Sequence, residues 1–166
     1  MEMPVTVKDI LRRGKELIGR ELKVCGWVRT RRDSKAGVSF VEVNDGSSVR
    51  NLQAVIDYNK FAREELESLL SKLHTGASVI IEGTVVPSPG KGQDIELSVS
   101  HMEVCGEADP ATYPLQKKRH SFEFLRQIAH LRPRTNTISA VMRLRSALSF
   151  AIHDFFKKRG FYYIHT

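Results

Sequence analysis

Leu22-Lys-Val-Cys-Gly-Trp-Val-Arg29, then Val38-Ser-Phe-Val-Glu-Val43, then Val49 to Asp57 with Leu52, Ala54 and Ile56 at every second place, is the stretch whose reading decides the fold. Apolar residues alternate with polar ones, the period of a strand with one face in a core. In the first run Leu22, Val24 and Val28 form the apolar set, against Lys23, Cys25 and Arg29. Asp33-Ser-Lys-Ala-Gly37 and Asn44-Asp-Gly-Ser47 separate the runs and carry turn chemistry. Three strands joined by short loops are expected.

Working outward, Thr6 to Leu17 reads as a short leading helix, with Thr6 and Asp9 spaced as a cap and Val7, Ile10 and Leu11 apolar behind them. Phe61 to Leu73 carries Ala62, Leu66, Leu69, Leu70 and Leu73 at helical spacing, and Gly76 stops it. Ala77 to Val86 and Asp94 to Val104 read as two more strands around the turn-rich 87–93. Three strands, a helix and two strands is the order of an OB-fold, a five-stranded Greek-key barrel that binds oligonucleotides. A β-sandwich competes, but it does not usually place one helix between strands three and four. The fold class expected is thus mainly β with α, and the barrel occupies 1–106.

Beyond Gly106 the pattern changes. Asp109-Pro110-Ala-Thr-Tyr-Pro114 opens a linker over 107–136 that contains a short helix, His120 to Leu131. Thr137 to Arg159 is a long amphipathic helix with Val141, Leu144, Leu148, Ile152 and Phe155 on one face, and Gly160 closes it. Phe161 to Thr166 reads as the start of a strand without a partner, so residues 137–166 are expected to be the truncated start of a second domain.

The 166 residues carry a formal charge of +7. Residues 1–106 hold 15 Lys/Arg against 15 Asp/Glu, and residues 107–166 hold 11 against 4. A nucleic-acid site on the barrel must therefore rest on a local cluster, such as Arg29, Arg31 and Arg32, and not on bulk charge. Cys25 and Cys105 are far apart in sequence and lack zinc spacing, which predicts free thiols and no metal. No apolar run reaches the length of a membrane span, and residues 1–10 have neither a signal nor a transit pattern, so a cytoplasmic protein away from membranes is expected. Gly90-Lys-Gly92 lacks the spacing and the following helix of a phosphate-binding loop. Nucleophile triads, paired-carboxylate sites and metal clusters are all missing from the pattern, and no catalytic residue is assigned.

The alternation turns Ser39, Val41 and Val43 inward and leaves Val38, Phe40 and Glu42 outside. In the next strand Gln53, Val55 and Asp57 face out, and in the last strand Glu96 and Ser98 do. An exposed aromatic can stack on a base, an amide or carboxylate can bond a base edge, and arginine can hold phosphate or base through its planar fork. Arg32, Phe40, Gln53 and Glu96 are therefore a candidate surface for a few unpaired bases. The plainer readings stay open at this point: a lone strand phenylalanine in the core, Gln53 and Glu96 merely solvated, and Arg29 to Arg32 guarding a sheet edge. Lys117-Lys-Arg119 reads as a solvated linker.

Cys25-Gly-Trp-Val-Arg-Thr-Arg-Arg-Asp-Ser-Lys-Ala-Gly-Val-Ser-Phe40 resembles the start of the anticodon-binding barrel in the class II synthetases for aspartate, asparagine and lysine. Arg32-Asp-Ser-Lys-Ala-Gly37, Tyr113-Pro-Leu-Gln-Lys-Lys-Arg-His-Ser-Phe-Glu-Phe-Leu125 and Ala129-His-Leu-Arg-Pro-Arg-Thr-Asn136 are similar to the asparaginyl-tRNA synthetases in particular. The resemblance runs from Leu22 onward. It implies an enzyme that attaches asparagine to its tRNA using ATP and magnesium. It also implies Phe40 stacking on the central anticodon uridine, Gln53 and Arg32 recognising its edge or nearby backbone, and Glu96 reading a flanking base. Aspartate enzymes often carry arginines where Val85-Val86 follow Gly83-Thr84 here, so the contacts to flanking bases stay open.

The run Lys158-Arg-Gly-Phe161 resembles the class II motif of the dimer seam, which implies Phe155, Arg159, Gly160 and Phe161 as interface residues of a homodimer. The motifs that hold ATP, magnesium and the amino acid do not occur in this sequence, so these residues alone are expected to bind no cofactor and to be inactive. An aspartyl or lysyl relative, a non-enzymatic single-strand-binding OB module and an RNA-free docking domain are the alternatives.

Overall fold

The computed structural model describes residues 4–90 and 92–165. They form two compact units that divide between Arg119 and His120.

The first unit is a closed barrel. Its strands are β1 (Glu21–Ser34), β2 (Val38–Asn44), β3 (Leu52–Asp57), β4 (Ser78–Pro87) and β5 (Ile95–Gly106). Their order around the barrel is β1-β2-β3-β5-β4, and β4 returns to β1. Every pairing is antiparallel except β3 with β5. This is the OB-fold that the element order predicts. The inward set is the alternating one: Val24, Val41, Val43, Ala54, Ile56, Ile81, Val85, Leu97 and Val99 are all fully buried. Burying each valine, leucine or isoleucine contributes about 1.5–3 kcal/mol relative to exposure.

Two helices close opposite ends of the barrel. The first, α1 (Val7–Arg13), is capped by Thr6, whose hydroxyl accepts from Asp9 N and donates to Asp9 Oδ2. Its amides at Val7 and Lys8 donate to Asp45 Oδ2 and Ser47 Oγ in the β2–β3 turn, which fixes the helix at that end. The second, α2 (Arg63–Lys72), adds Leu66 and Leu69 to the core, with Leu73 just beyond it, at the end that holds the β1–β2 hairpin.

Several boundaries differ from the periodic reading, each for a local reason. The leading helix becomes a 3-10 turn over Gly14–Leu17. There Gly14 lies so close to Ile95 that a Cβ would stand 2.9 Å from Ile95 Cγ1. Strand β3 begins at Leu52, not Val49, because Asn44 Nδ2 donates to the carbonyls of Ser48 and Arg50 and holds that segment as a turn. Asp57 caps a 3-10 turn at Tyr58–Lys60, which delays α2 to Arg63. Part of the expected linker packs within the first unit: Leu115 is buried, and the Tyr113 ring covers Gly76, whose φ of +96° needs glycine.

In the second unit, α3 (Phe122–Gln127) is capped by Ser121 and is shorter than the expected His120 to Leu131. A 3-10 turn at Arg132–Arg134 precedes α4 (Asn136–Lys157). Val141, Leu144, Leu148, Ile152 and Phe155 on α4 are exposed. Phe161 to His165 form no strand: Phe161 N donates to Phe156 O, and the Phe161 ring meets Phe156 edge-on. A strand needs a neighbouring ladder for its amides, and none is present among the described residues. Thr166 lies outside them. No described helix is long and apolar enough to cross a membrane.

Gly83 in β4 marks where backbone approaches backbone, since a Cβ there would lie 2.4 Å from Ser98 O. Gly83→Ala is expected to lower stability by about 1–3 kcal/mol, whereas Gly90→Ala stays within about 0.5 kcal/mol; urea unfolding midpoints measure both. Thr6→Ala, which removes the cap of α1, is expected to cost about 0.5–2 kcal/mol in the same assay.

Candidate nucleic-acid interface

The outer face is organised by one extra residue in β1. Val28 lies opposite Val43 but Thr30 lies opposite Glu42, so Arg29 is a bulge. Without it, the alternation of Leu22, Val24 and Val28 would continue through Thr30 and turn Arg32 inward. With it, Arg31 pairs with Val41 and Arg32 with Phe40. Directly opposed residues share a face, so Arg32 stands outside beside Phe40. The Arg32 guanidinium carbon lies 5.0 Å from the centre of the Phe40 ring. That is within cation–π range and holds the ring from one side.

The same register carries the row across the sheet. Phe40 opposes Val55, Val55 opposes Ser98, and Glu42 opposes Gln53. Phe40 is half-buried, neither core nor free. Gln53 Nε2 donates to Glu96 Oε2 at 3.1 Å, and Ser88 Oγ and Gln93 Nε2 donate to the same oxygen at 3.0 and 3.4 Å. Glu96 therefore points outward on its strand yet is only 8% exposed. A carboxylate so covered stays tolerable because neighbouring donors replace water. Since a carboxylate accepts only, the Gln53 amide must turn its NH2 toward Glu96, which frees its carbonyl oxygen. Lys60 Nζ reaches across to Ser98 Oγ at 3.0 Å, adding a cation beside the Val55–Ser98 pair.

All four residues singled out from the sequence thus lie on the outer surface of β1, β2, β3 and β5, in two touching pairs: Arg32 with Phe40, and Gln53 with Glu96. A second set lies beside it and includes Arg31, which the sequence reading placed in the cationic cluster with Arg29 and Arg32 and which the bulge turns inward instead. Arg31 donates to the carbonyls of Leu70 and Leu73 at the end of α2 and bridges to Asp33 at 3.1 Å. Asp33 Oδ1 accepts from Ser39 Oγ at 2.6 Å, and that hydroxyl lies 2.8 Å from Tyr58 Oη. Arg31 and Asp33 flank Arg32, and Ser39 precedes Phe40, so this network fixes the backbone under the surface. Its one signal in the sequence is Ser39, a hydroxyl in the inward set. Ser88 and Gln93 gave no periodic signal because they sit in a loop.

The residues matched to a dimer seam lie in the second unit. Arg159 stacks 3.5 Å from the centre of the Phe155 ring and donates to Phe155 O, and Gly160 turns the chain at a φ of +84° before Phe161. On the β1–β4 side of the barrel, Lys23 Nζ donates to Glu82 Oε1 at 2.9 Å. This bond lowers the pKa of the Glu82 carboxyl and raises that of the Lys23 ammonium. Among the described residues, no group of three or more His, Cys, Asp or Glu is placed to hold a metal ion.

The chain is 60% identical over 160 residues to the asparagine–tRNA ligase of Syntrophobacter fumaroxidans, an alignment covering 96% of this chain and 34% of that protein. It is 56% identical over 158 residues to that of a Synechocystis species, covering 95% of this chain and 33% of the relative. It therefore spans about a third of the length of these curated relatives. The crystal structure of asparaginyl-tRNA synthetase from Pyrococcus horikoshii complexed with asparaginyl-adenylate superposes with a TM-score of 0.84 at 27% identity, over 99% of this chain and 36% of that one. Residues 22–105, the barrel from the first inward leucine to the end of β5, match the tRNA anticodon family described as an OB-fold nucleic acid binding domain, and the chain belongs to that family.

Proposed function

We propose that this chain reads the anticodon of an asparagine-type tRNA as part of an asparagine–tRNA ligase. The observation that carries the reading is the pair of contacts on one sheet face, Arg32 on Phe40 and Gln53 on Glu96. Phe40, steadied by Arg32, stacks on the central uridine, a contact worth about 1–3 kcal/mol. The Gln53 carbonyl, freed because its NH2 is bound by Glu96, accepts the uracil imino proton. Arg32 donates to a uracil oxygen or to the adjoining phosphate. Glu96 has a second carboxylate oxygen with which to accept from a flanking base.

For the whole protein the proposed reaction joins asparagine to its tRNA in two steps, formation of an aminoacyl-adenylate and transfer to a terminal tRNA hydroxyl. ATP and magnesium supply the carboxylate activation. No residue of this chain is assigned to either, so its part is to hold the tRNA. The asparagine–tRNA ligase relatives support this reading, and it carries with it a cytoplasmic setting and a homodimer seam at Phe155, Arg159, Gly160 and Phe161.

Fluorescence anisotropy with an asparagine-type anticodon stem-loop tests the barrel's role. The native loop is expected to bind more tightly than one whose central uridine is replaced, and equal binding would make the barrel a general single-strand binder. Phe40→Ala is expected to weaken the native loop by about 1–3 kcal/mol, roughly 5- to 150-fold; an unchanged affinity removes Phe40 from the site. Glu96→Gln is expected to cost about tenfold, the size of one hydrogen bond to a charged group, and to reduce the uridine preference, because an amide in place of the carboxylate no longer selects one orientation of Gln53.

A further inference from the structure

The reading face is poor in positive charge. Glu42 and Glu96 lie on it against Arg32 and Lys60, so it is suited to base edges more than to the phosphates that connect them. Yet affinity for RNA depends on neutralising phosphate. The barrel as a whole offers no general attraction, with 15 basic residues balanced by 15 acidic ones over 1–106.

A cleft of about 200 Å³ lies where the end of α1 and the following 3-10 turn meet the β2–β3 and β4–β5 loops. Arg12, Arg13, Lys15 and Arg50 line it, against Glu16 and Asp94. Arg13 is engaged by Glu16 at 3.3 Å. Arg12, Lys15 and Arg50 form no ion pair among the described residues, and all three are exposed. The remaining wall includes Gln93, whose amide donates to Glu96 and to Ser88. One side chain therefore belongs to both the cleft and the reading face, and a strand leaving Glu96 meets the cleft next.

We infer that this cleft is a phosphate site for the RNA strand flanking the bases read at Gln53 and Glu96, with Arg12, Lys15 and Arg50 as its cations. The inference rests on the anticodon reading. Three side chains brought from α1, the 3-10 turn and the β2–β3 loop converge on one concave surface, and their charges are not spent within the protein. Such cations add affinity without choosing a base.

The test is anisotropy of the same stem-loops across a salt series, with Arg12→Gln/Arg50→Gln and, separately, Lys15→Gln. The double variant is expected to bind the native and uridine-replaced loops equally more weakly, about tenfold or more near physiological salt. Its log–log salt slope should fall by about 0.7 for each phosphate that the protein no longer neutralises, and the ratio between the two loops should stay as in the parent. Lys15→Gln should show a smaller change of the same kind, and provides the reading should the double variant melt early. Arg63→Gln, on α2 at the opposite end, is the control and should leave the slope unchanged.

Unchanged affinity and slope in both cleft variants would overturn the inference and leave Arg12 and Arg13 serving only the end of α1. A change in the uridine ratio would also overturn it, by showing that these residues read a base. Loss of uridine preference in the parent protein with the slope changes intact would instead sink the anticodon reading while keeping a phosphate cleft. Absence of binding by the parent would overturn both.

Discussion

The placement of every residue on the outer face depends on the bulge at Arg29. A strand presents alternate residues to opposite faces, so one inserted residue exchanges the faces of all that follow. Before the bulge, β1 supplies Leu22, Val24 and Val28 to the barrel side. After it, Arg31 and Asp33 take the inward positions and Arg32 moves outside to meet Phe40. The reversal occurs near the barrel end, where an inward arginine can reach the carbonyls closing α2 instead of apolar core. Deeper in the barrel the same exchange would bury an unpaired charge.

Those inward polar groups give the face its rigidity. Arg31, Asp33, Ser39 and Tyr58 satisfy one another and the last carbonyls of α2, and no buried side-chain polar atom among the described residues lacks a partner. Ser39 is buried and Arg31 and Tyr58 are half-buried, and bonded polar groups with little access to water have few alternative arrangements, whereas Asp33 is exposed. Arg32 and Phe40 are thus carried on a section of hairpin with little freedom to twist. A flat ligand meeting such a ring would require little further ordering of the protein. On the next row the cover of Glu96 by Gln53, Ser88 and Gln93 has the same consequence, because it selects one orientation of the Gln53 amide.

Local composition accounts for how the two ends of the barrel differ. At one end α2 presents carbonyls to Arg31, whose guanidinium is also met by Asp33. At the other, α1 is tied by its amides to Asp45 and Ser47, and its basic last turn faces a cleft. The outward row of Arg32, Phe40, Gln53 and Glu96 and the cations Arg12, Lys15 and Arg50 therefore occupy adjacent but separate surfaces, on a barrel whose acidic and basic residues balance.

Most of the barrel was legible in the sequence. Apolar residues two apart determined the five strands and the inward sets, because one buried face leaves a period that needs no tertiary information. The same alternation put Phe40, Gln53 and Glu96 on outward faces, and the family resemblance implied roles for them and for Arg32. Boundaries set by side-chain bonds to backbone were not legible, as at Asn44, where a polar side chain withholds the carbonyls of Ser48 and Arg50 from the ladder. Nor could the run from Phe161 settle its own conformation, since a strand is completed by a neighbour and not by propensity. The sequence by itself determined which residues could face outward; only the tertiary structure decided which of them stand together on one face. The bulge at Arg29 is visible only in pairing register, and the bonds that orient Gln53 come from a strand and a loop far along the chain.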